Sequence, residues 1–243
     1  MPQFAAFLLL GLGLPLIVAL AGVSSWTWIV LGAGAWGGGV LLKTLLGGPV
    51  GAACQALRPR QSFRSVWWGV WSAVCELGVA ALVFAVVTPF PTLGEAIGFG
   101  VGAGSLEAFY VLYLAIRATG ADGLVDASGR AVAAAPAGPV DRFQEWSGVL
   151  ERFLASVGHL ASRGLVWAGM QAAVLVPGLA FAVATFAAID GVAFHGSVAK
   201  WDWADPGLSR RFYRFVAVVT GLELIAFLAA AGYLCRSVGC SVQ

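Results

Sequence analysis

Residues 66–87 read VWWGVWSAVCELGVAALVFAVV. This run of apolar and small residues holds one charge, Glu76. About 20 apolar residues, rising about 1.5 Å each, cross the hydrocarbon core of a bilayer. The run therefore predicts a membrane-spanning helix. The lone glutamate near its middle is the most costly side chain to hold there, which makes it the first candidate for a functional group.

Working outward, six more stretches reach the same length, at roughly 4–23, 26–46, 96–116, 149–170, 174–193 and 215–234. The chain as a whole is 60% hydrophobic and 11% charged, where a soluble domain carries about 25% charged residues. The predicted fold class is an all-α, polytopic integral-membrane helical bundle of about seven transmembrane helices, forming a single domain in the lipid bilayer. The first stretch lacks a basic leader segment, and Pro2 to Ala21 is long enough to span rather than to be removed. Residues 118–140, ATGADGLVDASGRAVAAAPAGPV, are small and unpatterned and predict a mobile loop. A formal charge of +2 gives no basis for a nucleic-acid partner.

The loops orient the bundle. Lys43, Arg58, Arg60 and Arg64 flank or fill the second connection. Arg117, Arg130 and Arg142 belong to the fourth, and Lys200, Arg210, Arg211 and Arg214 to the sixth. The alternate connections carry no Lys or Arg, and Arg236 alone falls on their side. Basic loops stay in the cytoplasm, so the N-terminus is expected inside and the C-terminus outside. Trp26, Trp28 and Trp167 are expected at the outer interface, and Trp67, Trp68, Trp146, Trp201 and Trp203 at the inner one. Cys235 and Cys240 are both expected on the outer side, five positions apart, a spacing that leaves a disulfide or two free thiols open, and no CxxC pair suggests a thiolate zinc site. Two lysines beside twelve arginines fit a GC-rich bacterial genome.

Other spans also carry ionisable residues. These are Glu107 in the fourth; Glu151, Arg152, His159 and Arg163 in the fifth; Asp190 near the end of the sixth; and Glu223 in the seventh. Counting along each helix puts Glu76, Glu107, His159 and Glu223 all about 12–15 Å below the cytoplasmic boundary. Arg152, His159 and Arg163, spaced i, i+7, i+11, share one helix face. That face must meet protein or water rather than lipid. A shared pocket reached from the cytoplasm is one reading. Ion pairing of Glu76, Glu107 and Glu223 with Arg152 and Arg163 is the plainer one. In the fourth stretch, Gly98, Gly100, Gly102 and Gly104 make two GxxxG spacings, which let neighbouring helices approach closely.

The segments GFGVGAGSLEA (98–108) and LERFLASVGH (150–159) resemble two core motifs of the YhfC-type intramembrane metallopeptidase family, distant relatives of the CPBP (CAAX-processing) membrane proteases and of PrsW. The resemblance covers about residues 66–194. It implies a membrane-embedded hydrolase acting on a membrane protein or peptide. Glu76, Glu107 and His159 would hold zinc, Arg152 would position a carboxylate, and Glu151, Arg163, Asp190 and Glu223 would be supporting polar groups. The chain departs from the pattern at four positions. Cys75 replaces the first glutamate of a Glu-Glu pair and Val79 an arginine, while Ala103 and Phe186 stand where histidines are expected. With one histidine left, a metal-free pair of carboxylates sharing a proton is a further chemistry. A non-catalytic scaffold or chaperone for a partner helix, and a proton-coupled or small-solute transporter, are the alternative functions.

Overall fold

The computed structural model describes residues 7–57, 60–87, 92–120, 142–172 and 176–239. Among them every regular element is helical. The chain is an all-α bundle of seven helices: α1 (Leu9–Leu20), α2 (Trp26–Ala56), α3 (Gln61–Val87), α4 (Leu93–Gly120), α5 (Arg142–Gln171), α6 (Val176–Val198) and α7 (Pro206–Leu234). Five of them, α2, α3, α4, α6 and α7, are long and apolar enough to cross a membrane. The short α1 begins in a π-helical turn, Leu9–Gly13. Helix α5 has 30 residues, but its charged stripe lowers its hydropathy. Side-chain placement is the reverse of a soluble protein's. Val86 is 74% exposed while Arg163 is fully buried and Glu223 is 1% exposed. An apolar exterior around an ionic interior suits a multi-pass membrane protein.

Each predicted apolar stretch falls on a helix, yet several helices outrun their stretches. Helix α7 starts at Pro206, well before 215. Asp205 accepts a hydrogen bond from Gly207 N at 2.8 Å, and Pro206 sits at the first helical position. Together they form a start signal that hydropathy does not register. Helix α4 starts similarly: Thr92 and Glu95 exchange backbone-to-side-chain hydrogen bonds, a capping box. Helix α2 continues through Pro49 to Ala56. Of the loop expected over 118–140, residues 118–120 close α4, and the rest lies outside the described residues, as does Cys240 and with it the question of a bridge to Cys235. Cys54 and Cys75 are free and buried.

Neighbours run α2–α3–α6–α7–α5–α4 and back to α2, with α5 also packed on α6 and α3, and α1 on α4. Close approach is made possible by missing side chains. A Cβ on Gly100 would stand 2.7 Å from the Cα of Leu160, and one on Gly104 would stand 3.0 Å from the Cα of Ser156. Gly98 and Gly102 face the opposite way, onto Ser24 and Ile29. The two GxxxG spacings thus serve two partners, α5 on one flank and the start of α2 on the other.

One end of the bundle, where α3 and α5 finish and α2, α4 and α6 begin, is packed with aromatic and aliphatic side chains. Phe84 and Phe99 are fully buried with ring centroids 4.4 Å apart, and Trp28 stacks on Phe84 at 5.9 Å. Leu165, Trp167 and Phe227 complete this core. Trp28 and Trp167 are therefore core residues rather than the interfacial anchors their positions suggested, because both point inward between helices. Trp26 and Trp146 are exposed. The other end, which carries the basic connections, holds the polar groups.

Candidate functional site

Helix α5 supplies the spine of the site. Its Arg152, His159 and Arg163 are all buried on the inward face. Arg152 Nη1 donates to Glu107 Oε1 of α4 at 2.8 Å, and His159 Nε2 meets the other oxygen, Glu107 Oε2. Arg152 also donates through Nη2 to Glu151, whose second oxygen accepts from the Tyr213 hydroxyl of α7 at 2.9 Å.

A second group lies around Glu76 of α3. Lys43 Nζ of α2 donates to Glu76 Oε1 at 2.8 Å and to Ser72 Oγ at 2.9 Å. Arg163 Nη2 reaches Glu76 Oε2 at 3.3 Å. Ser72 also donates to Asp190 of α6, which stands 4.0 Å from Lys43. The Arg163 guanidinium lies 5.8 Å from the centroid of the Phe186 ring, which in turn is 6.4 Å from the His159 ring. Glu223 of α7 makes no ion pair within 4.0 Å among the described residues, lies within electrostatic reach of Arg163, and accepts from Thr185 Oγ1 of α6 at 2.8 Å.

These groups surround a cavity of about 500 Å³. All eight residues singled out in the sequence are at or beside it. Glu76, Glu107, Glu151, Arg152, His159, Asp190 and Glu223 line it, and Arg163 lies behind Glu76. Burying one charge without a partner costs several kcal/mol, and pairing offsets most of that cost. The observed pairs are therefore what keeps such groups inside an apolar shell.

Of the three side chains expected to share a metal, the fold brings two together and separates the third. Glu107 and His159 meet, whereas Glu76 is turned to Lys43 and Arg163. A catalytic zinc takes about three protein ligands. Among the described residues no group of three or more His, Cys, Asp or Glu is placed to hold a metal ion. Both carboxylates are already held by cations, which oppose a divalent ion. The residues present do not fit zinc.

Sequence reasoning missed Lys43 as a site residue: it was counted as flanking a connection, but α2 continues ten residues past the expected end at 46, to Ala56, so Lys43 lies well inside the helix. It also missed Ser72, Thr185 and Tyr213, ordinary residues by composition. Lys43 was within reach of the same test applied to the glutamates, a lone charge inside an apolar run. Phe186, read as a lost histidine, instead packs against His159 and Arg163 at the cavity wall. No protein-family model, curated protein or solved structure matches the chain.

Proposed function

We propose that the chain is a multi-pass membrane protein that admits a small polar solute from the cytoplasm into a cavity between its helices, in the manner of a small-solute transporter. One observation carries this reading. A cavity of about 500 Å³, lined by ionisable groups from helices α2 to α7, lies at the end of the bundle that bears the basic connections. Intramembrane charges of this kind mark solute and proton pathways, and the volume suits a small molecule. The excess of Lys and Arg in the connections at that end supports a cytoplasmic mouth, with the N-terminus inside and the C-terminus outside.

Metal-dependent peptide hydrolysis, which the motif resemblance implies, has weaker support. It needs carboxylates free to ligate or to activate water, and here Glu76 and Glu107 are each engaged by two basic side chains.

Cysteine labelling tests the reading. Ala155 lines the cavity, and Val218 points outward from α7. With Cys54 and Cys75 replaced by alanine, Ala155→Cys should react with the anionic, membrane-impermeant reagent 2-sulfonatoethyl methanethiosulfonate in inside-out vesicles, and far more slowly in right-side-out ones. Val218→Cys should react in neither. An Ala155→Cys as inert as Val218→Cys would remove the solute cavity from consideration.

A further inference from the structure

The cavity has an unequal charge balance. Five carboxylates line it: Glu76, Glu107, Glu151, Asp190 and Glu223. Three fixed cations answer them: Lys43 and Arg163 both on Glu76, and Arg152 on Glu107 and Glu151. Lys43 reaches Asp190 only at 4.0 Å. Glu223 makes no ion pair within 4.0 Å among the described residues, the charge of Arg163, already bonded to Glu76, being the one that reaches it, and its hydrogen bond comes from Thr185. That hydroxyl also lies 2.9 Å from the Phe181 carbonyl oxygen and 3.1 Å from that of Ala182, so three acceptors compete for one hydrogen.

Two unmatched polar atoms near Glu223, the Thr220 hydroxyl oxygen and His159 Nδ1, can accept as well. Thr220 is 2% exposed, lines the cavity one turn before Glu223, and its Oγ1 has no hydrogen-bond partner. His159 is 6% exposed and also lines the cavity, and its Nδ1 has no partner. Because Nε2 faces a carboxylate oxygen of Glu107, we assign the ring hydrogen of neutral imidazole to Nε2, which leaves a lone pair on Nδ1. The three residues are neighbours. A Cβ on Gly158, next to His159, would stand 3.8 Å from Thr220 Oγ1. Thr185, bonded to Glu223, precedes Phe186, whose ring packs against His159. Leaving buried acceptors unpaired is costly, and a donor-rich ligand removes that cost.

The remaining wall is apolar, part aliphatic and part aromatic. Trp36 and Tyr110 lie 5.8 Å apart, Phe212 and Tyr213 5.4 Å apart, and Phe186 adds a fifth ring. Ring faces attract cations, most strongly where water is excluded.

Resting on the solute-cavity reading, we infer that the ligand is a small organic cation with a primary ammonium group, received in the corner formed by Glu223, Thr220 and His159. Three N–H donors and one positive charge answer three acceptor groups and a surplus of carboxylate. A quaternary ammonium would supply the charge without the donors, and an anion would meet like charge.

Isosteric probes test this on the purified full-length protein in nanodiscs. By calorimetry benzylamine should bind, benzyltrimethylammonium at least tenfold more weakly, and benzyl alcohol and benzoate not measurably. Glu223→Gln should weaken benzylamine at least tenfold and Thr220→Val about threefold. Equal affinity for the quaternary probe, preference for benzoate, or wild-type affinity in Glu223→Gln would each overturn the inference. Should Glu223→Gln fail to fold, labelling of Ala155→Cys decides. The cationic 2-(trimethylammonio)ethyl methanethiosulfonate should outpace the anionic reagent at least tenfold relative to an exposed cysteine, and a ratio of one overturns the inference. If Ala155→Cys labels from the basic end but benzylamine does not bind, the amine is wrong and the cavity stands. If Ala155→Cys does not label, the cavity reading itself is lost.

Discussion

The two ends of this bundle are built from the same helices by opposite means. At one end Trp28, Phe84, Phe99, Leu165 and Phe227 fill the interior. At the other end the same α2, α3, α4, α5 and α7 present Lys43, Glu76, Glu107, Arg152 and Glu223 around open space. In a bilayer, helices gain little by hiding apolar surface from one another, because lipid is equally apolar. The first end is therefore held by close fit and dispersion. The second is held by charges that have nowhere cheaper to go. The filled end sets where the helices stand, and the open end uses that placement.

If this division is right, single substitutions should rank by which end they strike. Arg163→Met removes one of two cations on buried Glu76 and should cost about 4 kcal/mol. Thermal melting in detergent would read the loss, and a Glu76→Gln/Arg163→Met double variant should lose clearly less than the two single losses added. Strict additivity would mean that the pair does not hold the open end together. Phe84→Ala empties the centre of the aromatic cluster and should cost about 3 kcal/mol by the same measurement, with cavity labelling at Ala155→Cys unchanged. A Phe84→Ala that altered labelling as much as stability would blur the line between the ends.

Gly104→Ala places a methyl 3.0 Å from the Cα of Ser156 and forces α4 from α5, at about 1–2 kcal/mol. It should disturb Glu107 and Arg152 together, visible as a lower melting temperature in detergent that a Gly104→Ala/Glu107→Gln double variant does not lower by the sum of the two. Glu151→Gln is the mildest. Glu151 sits at the mouth with its side chain 45% exposed, so its removal should cost under about 1 kcal/mol. A larger loss would mean that the mouth is drier than its exposure implies.

The fold was largely legible because bilayer thickness imposes one length on every span. Run length alone located seven helices. It missed how far they extend, since the Asp205–Pro206 start and the Thr92–Glu95 box are local capping features that a hydropathy window averages away. The polar level was legible too, because Glu76, Glu107, His159 and Glu223 are rare residues counted from helix ends. Their partners were not. Whether Glu76 turns toward His159 or toward Lys43 depends on the crossing of α2 and α3, where a Cβ on Gly39 would stand 2.8 Å from the Cα of Glu76. That crossing is a tertiary fact that no spacing within one helix contains.

The long reach of the ion pairs bears on how the chain is made. Glu107 meets Arg152 45 residues downstream, and Glu76 waits 87 residues for Arg163. During synthesis, α3 leaves the ribosome with Glu76 matched by Lys43 alone and α4 leaves with Glu107 unmatched, and α5 arrives with charges that would bar it from entering lipid alone. Insertion of α5 must then be cooperative, its arginines drawn into the bilayer by acids already lodged there. A ribosome stalled between 120 and 142 would leave a half-made protein whose anions the insertion machinery itself must shelter.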